Sequence, residues 1–103
     1  MTDAEFEKTK ARIWAMIERW APRLGTGWYH MTYEWDREHD KGAVGDGAYE
    51  VAARVSCQWE YRQANVIWYM PAIMNMKDDD LERVVVHELA HVIVSPFNSY
   101  LSD

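Results

Sequence analysis

Apolar residues fall at two different periods along the chain, and the switch between them divides it into elements. Over 3–21, Phe6, Ile13, Ile17 and Trp20 fall on one helical stripe with Trp14 beside it, while Glu5, Lys8, Arg12 and Arg19 take polar positions. This predicts an amphipathic helix, ended by Pro22, Gly25 and Gly27. Glu5, Glu7 and Glu18 offset its basic residues, so a core-packing helix fits better than a membrane-surface one. Over 28–35 the period becomes two. Tyr29, Met31, Tyr33 and Trp35 face one way, and Trp28, His30, Thr32 and Glu34 the other, as in a strand. Residues 36–47 are polar and Gly-rich and read as a long connection. Residues 49–61 alternate again, with Tyr49, Val51, Ala53, Val55, Cys57, Trp59 and Tyr61 on the apolar face. Residues 62–65 read as a tight connection to a short third strand at 66–70 closed by Pro71. Two strands so close together imply an antiparallel hairpin.

Residues 70–76 hold three Met around Ala72 and Ile73. They suit either a mobile rim or a connector with Met as gap-filler. A last helix is expected over 79–94. Leu81, Val84, Val85, Leu89, Val92 and Ile93 recur at helical spacing. Asp79 with Glu82 fits a capping box, Asp78, Asp79 and Asp80 suit the positive helix start, and Pro96 is expected to end it. The predicted architecture is α+β, with a small twisted sheet of about three strands packed against an N-terminal and a C-terminal helix.

The length of 103 residues suits one domain with a modest core. A hydrophobic fraction of 49%, with six Trp and six Tyr, argues against disorder. The formal charge of −6 disfavours phosphate-backbone binding, so no nucleic-acid partner is expected. No apolar run approaches the roughly 20 residues that span a bilayer, and the acidic start lacks the pattern of a signal peptide. A cytoplasmic protein without a membrane partner is the natural expectation; the oligomeric state is not legible. The single Cys57 excludes an internal disulfide and, pointing inward, suits packing better than nucleophilic chemistry.

The chemistry concentrates in His87-Glu88-Leu89-Ala90-His91. Four residues is just over one helical turn, so His87 and His91 project from one face. Two neutral imidazoles so spaced can hold one Zn²⁺ at about 2.0–2.1 Å each. Glu88 lies about 100° round the helix, where it can reach a metal-bound water as general base without ligating the metal. His30, on a polar strand face, is a weaker metal candidate and suits a solvated residue. Asp36, Glu38, His39 and Asp40 cluster in sequence, but nothing fixes their geometry. The glycines of 36–47 lack phosphate-loop spacing.

The segment Val85-Val86-His87-Glu88-Leu89-Ala90-His91-Val92 resembles the active-site helix of the zincin metallopeptidases, most of all the small single-domain zincins of bacteria and their phages. The order helix, three strands, metal helix resembles the minimal zincin core. The resemblance implies zinc-dependent hydrolysis of peptide bonds in a peptide or protein substrate. His87 and His91 would be metal ligands, Glu88 the catalytic base, and an edge strand the border of the substrate cleft. The metzincin extension would need Gly at 94 and His at 97, where Val94 and Phe97 stand. A gluzincin's third ligand would lie on a later helix, and the Gly-Thr-x-x-Asp signature of the aspartate-ligand zincins is missing.

A catalytic zinc usually takes three protein ligands. Three explanations stay open: a ligand beyond residue 103 of a longer chain, Asp103 itself, or a degenerate site that holds zinc weakly or not at all. Tyr100 or His30 could steady an oxyanion. The alternative to a peptidase is a catalytically degenerate zincin-fold binding protein, a phage-type inhibitor or anti-defence protein. It would act through its acidic surface, with Trp28 and Trp59 as contacts if exposed.

Overall fold

The computed structural model describes residues 1–38 and 52–102, the last five by their backbone alone. Helix α1 spans Asp3–Leu24. Thr2 and Glu5 start it with a reciprocal capping box: Thr2 Oγ1 accepts from the Glu5 N–H at 3.1 Å, and Glu5 Oε1 accepts from the Thr2 N–H at 2.8 Å. The helix passes through Pro22, contrary to the expected break. Pro22 and Glu18 both lie on the exposed side, so the Glu18 carbonyl that loses its N–H partner faces water. Gly25 supplies the stop. Its φ of 83° is left-handed, and its N–H bonds to the Ala21 carbonyl at 3.0 Å.

A 3₁₀ turn, Thr26–Trp28, leads into β1, His30–Asp36. The first strand therefore begins two residues later than expected, and Trp28 stands 73% exposed on the turn. Strand β2 is Ala53–Gln58 and β3 is Gln63–Tyr69. The expected strand over 49–61 is shorter at its far end, while 49–51 lie outside the described residues. Trp59–Tyr61 forms a second 3₁₀ turn, and Arg62 reverses the chain at φ 54°. Trp59 and Tyr61 are consequently turned out of the core instead of continuing its apolar face. Strand β3 starts at Gln63, three residues before its expected start, because it is the middle strand, in the order β1-β3-β2. Neighbours on both sides hold Gln63 and Asn65 in the ladder, their polar side chains on the open face. The β2–β3 hairpin is antiparallel as expected, whereas β1 runs parallel to β3.

Register places Met31, Tyr33, Trp35, Ala64, Val66, Trp68, Ala53, Val55 and Cys57 on one face of this mixed sheet. Both long helices pack there, giving an α+β fold. Trp14 of α1 meets Tyr33 edge-on at 5.2 Å, and Trp35 stacks on Trp68 at 6.4 Å. Helix α2, Met70–Ile73, is a single turn with Met70 and Ile73 fully buried, which favours the connector over the rim. The Arg12 guanidinium fastens the segment after it, donating to the Met76 carbonyl at 2.6 Å and to Asp78 at 3.0 Å.

Helix α3 spans Asp78–Ser102 and contains Pro96, so the expected end near Val94 is overturned. Proline costs one bond, to the Val92 carbonyl, but the helix is already propagated by then and Val92 is fully buried in the core. The expected capping box is also absent. The helix starts one residue earlier than expected, and the Glu82 carboxylate instead accepts from Trp20 Nε1 at 2.8 Å and Arg19 at 3.3 Å. Leu81, Val85 and Leu89 are fully buried in one cluster with Ile13, Ile17, Val66 and Trp68, and Val92 is fully buried as well, with Val84 and Ile93 half-buried. Among the described residues, no helix is long and apolar enough to cross a membrane.

Candidate metal centre

The buried stripe of α3 fixes what its other face presents. With Val85, Leu89 and Val92 locked inward, His87 and His91 must point outward, and both rings are exposed. Their Nε2 atoms lie 3.0 Å apart and their planes cross at 89°. Without an ion, one ring can donate its N–H to the lone pair of the other, provided at least one is neutral. The same convergence suits a shared cation. Two imidazoles on a tetrahedral Zn²⁺ at about 2.05 Å place their nitrogens ~3.3 Å apart, so a shift of a few tenths of an ångström would admit it. The pair therefore fits a zinc ion as two of its donors.

Glu88 sits at the border between the exposed and buried faces and is half-buried. Burial pushes its carboxyl above the ordinary carboxylate range, and the neighbouring His87 pulls partly the other way. It lies where two hollows meet. One, of about 460 Å³, is lined by Arg54, Cys57, His91 and Ser95; the other, of about 440 Å³, by Met76, Arg83, Val84 and His87. Ala53 and Glu88 line both. Together they form one open groove between α3 and β2, with Glu88 near its middle. Strand β2 is an edge, since only β3 pairs with it among the described residues.

The remaining candidates are placed as follows. His30 lies on the open face of the sheet, in a hollow with Thr32, Ser56, Gln58 and Asn65. The sheet itself separates it from His87 and His91, which removes it as a ligand or oxyanion partner. Asp103 lies outside the described residues, as do His39, Asp40 and the side chain of Tyr100. Asp36 accepts from the Glu38 N–H at 3.1 Å at the end of β1. Cys57 points inward and half-buried, as expected, and its flank lines the groove beside His91. Among the described residues, no group of three His, Cys, Asp or Glu side chains is placed to hold a metal.

Three groove residues were not visible as such in the sequence. Ala53 leaves space opposite Glu88; Ser95 is one turn past His91; Arg54 reaches the groove although its register puts it on the open sheet face. No family model, curated protein or solved structure matches the chain.

Proposed function

We propose that the chain is a zincin-like, zinc-dependent hydrolase of peptide bonds. The observation that carries this is the 3.0 Å approach of His87 Nε2 to His91 Nε2, with the half-buried Glu88 carboxylate between the two halves of an open groove. Bound Zn²⁺ would supply Lewis acidity to a water and to the scissile carbonyl. The chain's own residues supply the rest. His87 and His91 present two imidazole nitrogens on a rigid helix whose opposite face is fixed in the core. Glu88 Oε takes the proton of the attacking water and passes it to the leaving amine, a task suited to a carboxyl raised by burial towards neutral pH. The groove beside edge strand β2 accepts an extended peptide, whose main chain can pair with the strand.

Purified protein should bind one equivalent of Zn²⁺ and cleave a peptide library only when loaded. Failure of Zn²⁺ to bind at micromolar concentration would overturn the reading.

A second reading has its own support: among the described residues, the histidine pair is joined by no third His, Cys, Asp or Glu. A binding protein on this fold, acting through its acidic surface, would form a complex that survives His87→Ala and chelation.

A further inference from the structure

Among the described side chains, two hydroxyls stand inside the long helices: Thr9 in α1 and Ser95 in α3. A hydroxyl in mid-helix ordinarily bonds back to the carbonyl four residues earlier or faces water. Thr9 bonds back, its Oγ1 donating to the Glu5 carbonyl at 2.8 Å. Ser95 does not. Its hydroxyl makes no hydrogen bond among the described residues. The residue is half-buried and lines the same hollow as Glu88 and His91, so its hydroxyl is left to whatever fills that hollow. Ser56 also lacks a partner among the described residues, but it is exposed on the open face of the sheet.

The helix fixes where Ser95 stands. It lies seven positions after Glu88, which is about 20° short of two full turns. The two side chains therefore leave the helix in nearly the same direction, ~10.5 Å apart along its axis. An extended peptide covers that distance in about three residues. On the strand side, Val55 and Cys57 line the hollow that Ser95 shares with Glu88. The hollow on the His87 side is lined by Ala52, Met76 and Val84 with Arg83. Among the described residues, Ser95 is thus the one hydroxyl or amide side chain in the groove. A hydroxyl can donate to a peptide carbonyl whatever side chain the peptide carries there.

We infer that Ser95 is a substrate-binding residue: its hydroxyl donates to a main-chain carbonyl about three residues from the peptide bond that faces Glu88. The groove then selects by length. It favours chains that continue at least three residues past that bond on the His91 side, over dipeptides and chain ends. This takes its occupant from the peptide-hydrolase reading and adds the substrate class.

The test starts from fluorescein-labelled decapeptides of random sequence, bound to the full-length Glu88→Gln protein, in which the peptide stays intact. The best-retained peptide is shortened one residue at a time from each end, and its affinity is followed by anisotropy with and without Zn²⁺. A neutral hydrogen bond is worth about two- to ten-fold in affinity. From one end, loss of the residue that meets Ser95 should weaken binding by at least that factor. With Ser95→Ala added, the same truncation should cost about two- to ten-fold less, and Ser95→Thr should keep the full cost. A Ser95→Ala effect equal at every length marks a residue that only shapes the helix and would overturn the inference. So would truncation series that match with and without the hydroxyl, or no binding of any peptide. Cleavage by the parent protein is read separately and marks the scissile bond. The Ser95-dependent step should fall about three residues from it; a step at the adjoining residue would overturn the placement. A Ser95-dependent step without cleavage overturns the hydrolase reading and leaves the peptide contact standing; cleavage indifferent to Ser95 at every length does the reverse.

Discussion

The indole Nε1 of Trp20 donates to Glu82 Oε2 at 2.8 Å across the contact between α1 and the first turns of α3. Glu82 lies five positions before His87, so this bond and the Arg12–Asp78 pair hold the base of the helix that presents the histidines. A hydrogen bond to a charged acceptor is worth about 1.5–3 kcal/mol when buried. With Glu82 side-chain exposure of 32%, ~1 kcal/mol is expected. Trp20→Phe should lower stability by that amount, a drop of about 4–8 °C in Tm for a domain this small. Thermal unfolding of Trp20→Phe, Glu82→Gln and the double variant checks it: the double should cost less than the sum of the singles.

Glu88→Gln should abolish peptide cleavage while leaving zinc stoichiometry unchanged, because the amide is close in shape but takes no proton. Metal analysis and cleavage, measured on one preparation, separate the two roles. Cleavage at the parental rate would remove Glu88 as the base.

His87→Ala and His91→Ala should each lose the metal and keep the fold. Both rings are exposed, and surface substitutions usually stay within about 0.5 kcal/mol. Isothermal titration with Zn²⁺ should show at least a ~100-fold loss of affinity for either variant, and circular dichroism should stay unchanged.

Leu89 lies between the two histidines in sequence and points the opposite way, fully buried. Leu89→Ala should therefore cost about 2–5 kcal/mol by leaving a cavity. Urea unfolding of the metal-free protein checks this. A loss comparable to that of His91→Ala would contradict the division of α3 into a core face and a site face.

The capping box at α1 carries a pH signature. The Thr2 backbone N–H and hydroxyl hold the Glu5 carboxyl below its ordinary value. The folded value is thus lower than the unfolded one, so the stabilisation is complete above the unfolded value and lost as pH falls through the folded one. An NMR titration should find the Glu5 side-chain midpoint below 4.5, and Glu5→Gln should remove this part of the acid dependence of stability.

Periodicity and the five-residue motif made the site helix legible. Leu81, Val85, Leu89 and Val92 mark its buried face, and the two histidines follow from it by geometry. The length of that helix was not legible, because proline is a local signal and Pro96 sits in a helix already held by long-range packing. The hairpin could be read from sequence, but not the 3₁₀ turn at Trp59–Tyr61, since alternation continues in the letters after the strand has ended. Nor could the start of β3, whose Gln63 and Asn65 are polar and held by neighbours on both sides. The groove needed the strand order: nothing local says that, among the described residues, β2 has β3 as its single neighbour.

The mixed sheet has a kinetic consequence. Closing the β2–β3 hairpin brings together Gln58 and Gln63, whereas pairing β1 with β3 brings together His30 and Gln63. The second closure encloses roughly eight times as many residues, which costs about 2 kcal/mol more in chain entropy. The hairpin should accordingly assemble first and α3 collapse onto it, with β1 docking afterwards from the far side. The wall and the helix of the groove would then belong to the early-forming half of the molecule. Conservative truncations in β2 should slow folding, while those in β1 should mainly speed unfolding.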